Sequence, residues 1–106
     1  MNNFSDMLSK AKAMQEKMKE AQDQIKKIEV EGMSGGNLVK VVLTGDYELK
    51  SIEISEEARK EKQDIINDLI IAAYNNAKEN LKKKSAEELS KVTGGLNLPF
   101  DFKLPF

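Results

Sequence analysis

Between Phe4 and Ile28 runs an apolar series, Phe4, Met7, Ala11, Met14, Met18, Ala21, Ile25 and Ile28, with steps of three and four alternating throughout. A strand needs a period of two and an ordinary surface helix drifts at 3.6. A strict repeat of seven is the pattern of a helix whose seam faces another helix. The residues between are mostly Lys, Glu and Gln, which form helices readily. At 1.5 Å per residue the helix runs about 35–40 Å, longer than a short chain needs to cover its own core. The seam is largely Ala and Met, which specify packing poorly, and gains Ile only at Ile25 and Ile28. Its C-terminal end should therefore be anchored and its N-terminal end should project. A long amphipathic helix packed on its own domain remains the alternative.

The next stretch switches period. Ile28-Glu29-Val30-Glu31 alternates, and Gly32 to Asn37 reads as a loop. Leu38 to Thr44 is a β-branched run with Val39, Val41 and Leu43 on one face. Gly45-Asp46 suggests a two-residue type II′ hairpin, with Gly first. Tyr47 to Ser55 follows, and the odd step from Leu49 to Ile52 predicts a bulge near Lys50-Ser51. Three strands in series make an antiparallel meander, one face of which needs a cover.

That cover is the second helix. Ile65, Ile66, Leu69, Ile70, Ala73, Ala77 and Leu81 form a wide apolar stripe at helical spacing. Ile65, Ile66, Leu69, Ile70 and Ala73 are the residues expected to be shared between core and dimer interface. Ser85-Ala86-Glu87-Glu88 has the form of a capping box, so a helical segment starts or restarts there and reaches about Val92, with Gly94-Gly95 ending it. Phe100, Phe102 and Phe106 then crowd an apolar tail, which is expected to pack on the body or across a dimer. The reading is one α+β (α/β) domain over 1–106: a projecting helix (1–28), a β-meander (28–55), helical segments (62–92) and the tail (96–106).

The residue inventory narrows function sharply. The chain has no His, no Cys and no Trp, and Arg59 is its single Arg. The commonest general base, the commonest transition-metal ligand and all thiolate chemistry are missing. The glycines from Gly32 to Gly36 lack the Lys-Ser or Lys-Thr of a phosphate loop. Glu56-Glu57 and Glu87-Glu88 sit in polar stretches with no apolar wall to raise a carboxyl pKa. No enzyme, cofactor, metal or small-molecule substrate is expected. No apolar run approaches the ~20 residues of a membrane span, and residues 1–6 lack the features of a signal peptide. A cytoplasmic location is the expectation.

Net charge is −1, but it is unevenly spread. Residues 1–27 carry six Lys against four acids, residues 28–77 five basic groups against ten acids, and residues 78–106 six Lys against four acids. Positive ends flank an acidic middle. Lys10, Lys12, Lys17 and Lys19 lie on the half of the first helix expected to project, and Lys82, Lys83 and Lys84 follow the apolar stripe of the second. Lysine is a point charge on a flexible stem, suited to phosphate rather than to base edges.

The order of these elements resembles the YbaB/EbfC family of bacterial nucleoid-associated proteins. The resemblance rests on Met14-Gln15-Glu16-Lys17-Met18, on Glu29-Val30-Glu31-Gly32 with Leu38-Val39-Lys40-Val41, on Asp68 to Ala77, and on the ending Leu98-Pro99 through Phe102-Lys103-Leu104-Pro105-Phe106. It implies a tweezer-like α/β homodimer that binds double-stranded DNA in the nucleoid, organises it and influences expression. By position it implies DNA contact at Lys10, Lys12, Lys17, Lys19, Lys82, Lys83 and Lys84. With one Arg, bidentate readout of base edges is nearly unavailable, so salt-sensitive backbone binding is expected. The alternative is a coiled-coil adaptor that binds protein through Met14 and Met18.

Overall fold

The computed structural model describes residues 2–93, so the expected tail and the Gly94-Gly95 helix end lie outside the described residues. The order is α1 (Asn2–Lys26), β1 (Glu29–Ser34), β2 (Val39–Thr44), β3 (Leu49–Ile54), α2 (Glu56–Arg59) and α3 (Gln63–Thr93). This is the α+β arrangement of a long helix, a three-stranded antiparallel sheet in the order β1-β2-β3, and a second long helix. The molecule is long and narrow, 72 × 24 × 17 Å.

The core lies between α3 and the inner face of the sheet. Val39, Val41 and Leu43 of β2 are fully buried there with Val30 of β1 and Ala73, Ala77 and Leu81 of α3. Small residues on α3 let the strands approach closely, and Gly32 takes this to its limit. A Cβ on Gly32 would lie 2.2 Å from the Ala73 carbonyl oxygen and 2.3 Å from the Ala77 amide nitrogen. Strand β1 is thus seated on the helix backbone itself. Gly32 belongs to β1 and not to the loop that its sequence context suggests. The loop is confined to residues 35–38, where Gly35 and Gly36 hold positive φ. Leu81→Ala would leave a cavity in this small core, and urea unfolding should show a loss of about 2–5 kcal/mol.

Two other local expectations are corrected. The β2–β3 connection is not a type II′ turn on Gly45, whose φ is not positive. Tyr47 N–H donates to the Thr44 carbonyl and Thr44 N–H to the Glu48 carbonyl, both at 2.9 Å. Tyr47 takes the left-handed position at φ 65°, giving a three-residue loop. Gly45 is there for proximity: a Cβ would fall 1.6 Å from the Ile25 carbonyl oxygen, and its N–H donates to the Ile28 carbonyl at 2.9 Å. The C-terminal end of α1 is thereby tied to the hairpin. Second, α3 runs unbroken through Ser85 for 31 residues. The true capped start is earlier, where the Ser55 hydroxyl accepts from Ala58 N–H at 3.1 Å and opens α2.

The expected bulge is present. Val42 pairs with Ser51 and Leu43 with Leu49, leaving Lys50 as the extra residue. The outer sheet face is a polar ladder in which Lys40 lies 3.5 Å from both Glu31 and Glu53, and Lys50 pairs with Glu29. Glu31, then Glu53, raise the Lys40 pKa above its usual 10.5. A raised lysine pKa contributes stability that is complete at neutral pH and is lost only as pH climbs past that value. Thermal melts of the wild type and of Lys40→Met should therefore differ by the same amount from pH 6 to 9 and converge in more alkaline solution.

Candidate nucleic-acid interface

The two ends of α1 have different fates. Ala21 and Ile25 are buried and Met14 and Met18 half-buried, whereas Phe4, Met7 and Leu8 are 70 %, 67 % and 56 % exposed. The buried end meets α3 and the hairpin, where Ile25, Gly45, Tyr47, Lys82, Ser85, Ala86 and Leu89 line one groove. Both helices leave the body on the same side, α1 running toward it and α3 away. They form the coiled-coil-like arm that the seven-residue repeat requires.

The lysines decorate the flanks of this arm. Lys10 and Lys17 each precede a seam residue, and Lys12 and Lys19 each follow one. Each pair forms a row that repeats after seven residues, about 10.5 Å. That is close to three base-pair steps at 3.4 Å per strand. Lys26 continues the row of Lys12 and Lys19, and the sequence reading passed over it. All five are exposed. Among the described residues, no ion pair engages any of the five, so their charge is open to an outside anion.

The α3 cluster is less coherent than its sequence suggests. Consecutive helical residues fan out by about 100°, so Lys82, Lys83 and Lys84 are all exposed but share no single face. Lys82 also lies 3.9 Å from Glu79 and borders Ile25 at the base of the arm. Lys83 and Lys84 belong to no ion pair among the described residues. Residues 1–27 carry six Lys against four acids and residues 28–77 five basic groups against ten acids, so the balance of charge is positive on α1 and negative on the body.

The residues expected to be shared by core and interface separate by depth. Ala73 is in the core and Leu69 and Ile70 pack against it. Ile66 is half-buried and Ile65 is 43 % exposed.

The model of the YbaB/EbfC DNA-binding family matches residues 1–96. The chain belongs to the YbaB/EbfC DNA-binding family. Its relatives extend the likeness beyond the matched residues. A nucleoid-associated protein of Granulibacter bethesdensis is 41 % identical over 100 % of both chains. One of Bartonella bacilliformis is 40 % identical, covering 100 % of this chain and 99 % of its own. A third, of Hahella chejuensis, is 38 % identical over 98 % of this chain and 96 % of its own.

Proposed function

We propose that the protein is a non-enzymatic, nucleoid-associated homodimer in the cytoplasm that binds duplex DNA through backbone phosphates, organises it and thereby influences expression. The observation that carries this reading is the double row of exposed, unpaired lysines at Lys10, Lys12, Lys17 and Lys19. Lysine ammonium groups on flexible stems neutralise phosphates without reading base edges. Lys83 and Lys84, with Lys82 more weakly, extend the contact toward the base of the arm. A second copy doubles every row, and paired arms present lysines to DNA from two sides. Support for a second copy comes from β3, where Leu49 and Ile52 are 44 % and 43 % exposed although both belong to the inner, apolar face.

Fluorescence anisotropy with two duplexes of unrelated sequence tests the phosphate reading. Their affinities should agree within severalfold. A preference of a hundredfold or more, as base readout gives, would contradict it.

One observation favours the adaptor reading instead: the apolar tip formed by Phe4, Met7 and Leu8. A Met-rich seam suits an adaptable protein partner. The two readings separate on which side chains matter, lysine rows or seam.

A further inference from the structure

The two edges of the sheet are treated differently. The outer edge of β1 is closed by α3: Asn76 Oδ1 accepts from Met33 N–H at 3.0 Å, and Asn80 Nδ2 donates to the Glu31 carbonyl at 2.8 Å. Nothing comparable meets β3 among the described residues. Ser55 N–H donates to the Leu38 carbonyl at 2.9 Å. Bonded pairs alternate along an antiparallel ladder, so Lys40–Glu53 and Val42–Ser51 are the bonded pairs of the β2–β3 register. Ile52 and Ile54 therefore turn their N–H and C=O groups outward, while their side chains share the inner face with Val41 and Val39. β3 offers an open edge beside an uncovered apolar strip.

The sequence holds a segment shaped for such an edge. Residues 96–106 read Leu-Asn-Leu-Pro-Phe-Asp-Phe-Lys-Leu-Pro-Phe, with every even position apolar and every odd position Asn, Pro, Asp or Lys. Period two gives a strand with one apolar face. Alternate residues also present their backbone groups to opposite edges. Pro99 and Pro105 are both odd, so both missing N–H groups fall on one edge and the other is left whole.

Chirality then fixes the orientation. In an L-chain, strand direction, side-chain face and backbone edge are tied together. A strand parallel to β3 with its apolar face inward would, like β3, turn its apolar residues' N–H groups away from β2. Pro99 and Pro105 would then face β3 and break the ladder. An antiparallel strand reverses this, turning Leu98, Phe100, Phe102 and Leu104 toward β3 and both prolines toward solvent.

The same chain cannot supply that strand. Ser34 Oγ donates to the Leu69 carbonyl at 2.6 Å, and Ser34, Val39 and Ile54 are in register, so Ile54 lies level with Leu69. From there α3 runs on to Thr93, about 36 Å at 1.5 Å per residue. An antiparallel strand must enter at Ile54, yet Leu96 is only three residues past Thr93, a reach of about 10 Å.

We propose that residues 96–106 of one copy add as an antiparallel strand to the β3 edge of a second copy, with Phe100 and Phe102 extending the inner face beside Ile52. The exchange is reciprocal in a twofold dimer, and the mode is strand addition. This rests on the homodimer reading.

The chain has no cysteine, which makes cross-linking specific. Full-length Glu53→Cys protein, labelled by size, is mixed with full-length Asp101→Cys or Lys103→Cys protein under mild oxidation. Glu53 and both tail positions lie on the outer face of the proposed ladder, so a mixed disulfide should exceed that formed with an Asn3→Cys control by about tenfold or more. Two proline variants test the edge assignment by sedimentation. Leu104→Pro should raise the dimer Kd by about tenfold or more, on the scale of a lost buried contact, and Lys103→Pro should not. If the wild type is dimeric but no mixed disulfide forms above the Asn3→Cys control, the strand exchange is wrong and the dimer stands. If the wild type sediments as a monomer, both fall.

Discussion

Changing Lys10, Lys12, Lys17 and Lys19 together to Gln is expected to lower affinity for duplex DNA by roughly a hundredfold or more at low salt. The expectation follows from what these side chains do in the free protein. They are exposed and belong to no ion pair among the described residues, so removing their charge deletes phosphate contacts without disturbing the fold. The melting temperature should stay within a few degrees of wild type, and the loss should be uniform across DNA sequences. Gln keeps the helix and most of the stem, which confines the change to charge. The companion variant is Met7→Gln with Leu8→Gln at the apolar tip. If that pair abolishes DNA binding while the lysine variant retains it, the seam rather than the rows is the functional surface.

The second large effect is on folding. Gly32→Ala places a methyl group inside the backbone of α3, 2.2 Å from the Ala73 oxygen. Neither element yields easily, because Ser34, Met33 and Glu31 hold β1 to the same helix through Leu69, Asn76 and Asn80. Urea unfolding should show a loss of about 3 kcal/mol or more, in the range of severe core damage. Gly36→Ala is the informative control. Its Cβ meets nothing within 4 Å, but its φ is 74°, so it carries only the left-handed penalty of about 1–2 kcal/mol. Equal costs at the two positions would mean that β1 is not seated on the helix backbone.

Much of this architecture is legible from periodicity. The heptad seam names α1, the run of β-branched residues names β2, and the odd step from Leu49 to Ile52 locates the bulge at Lys50. Close approach is what periodicity does not carry. Gly32 and Gly45 read locally as loop and turn residues, but both are small because another backbone passes within van der Waals distance. Tertiary packing likewise overrides the capping signal at Ser85. There α1 lies against α3 through Ile25, and the helix continues past a sequence that would start one in isolation. For the candidate site, charge counting singles out the lysines of both helices, but Lys82, Lys83 and Lys84 share no face, since neighbours in sequence diverge on a helix. It also misses Lys26, which joins the row of Lys12 and Lys19 only once the seven-residue spacing is followed to the end. The open β3 edge is hidden for a different reason. Leu49 and Ile52 read only as apolar strand positions, and it is the packing of α3 on β1 and β2 that leaves both of them exposed.

The central claim is that lysine ammonium groups on the arm neutralise DNA phosphates, and a salt titration of binding to a random-sequence duplex tests it most directly. Each phosphate neutralised contributes about −0.9 to the slope of log K against log salt concentration. One arm bearing four engaged lysines predicts a slope of roughly −3.6, and two arms in a dimer roughly −7. The lysine-to-glutamine variant should flatten it. A slope near zero, or wild-type and variant slopes that coincide, would contradict the account.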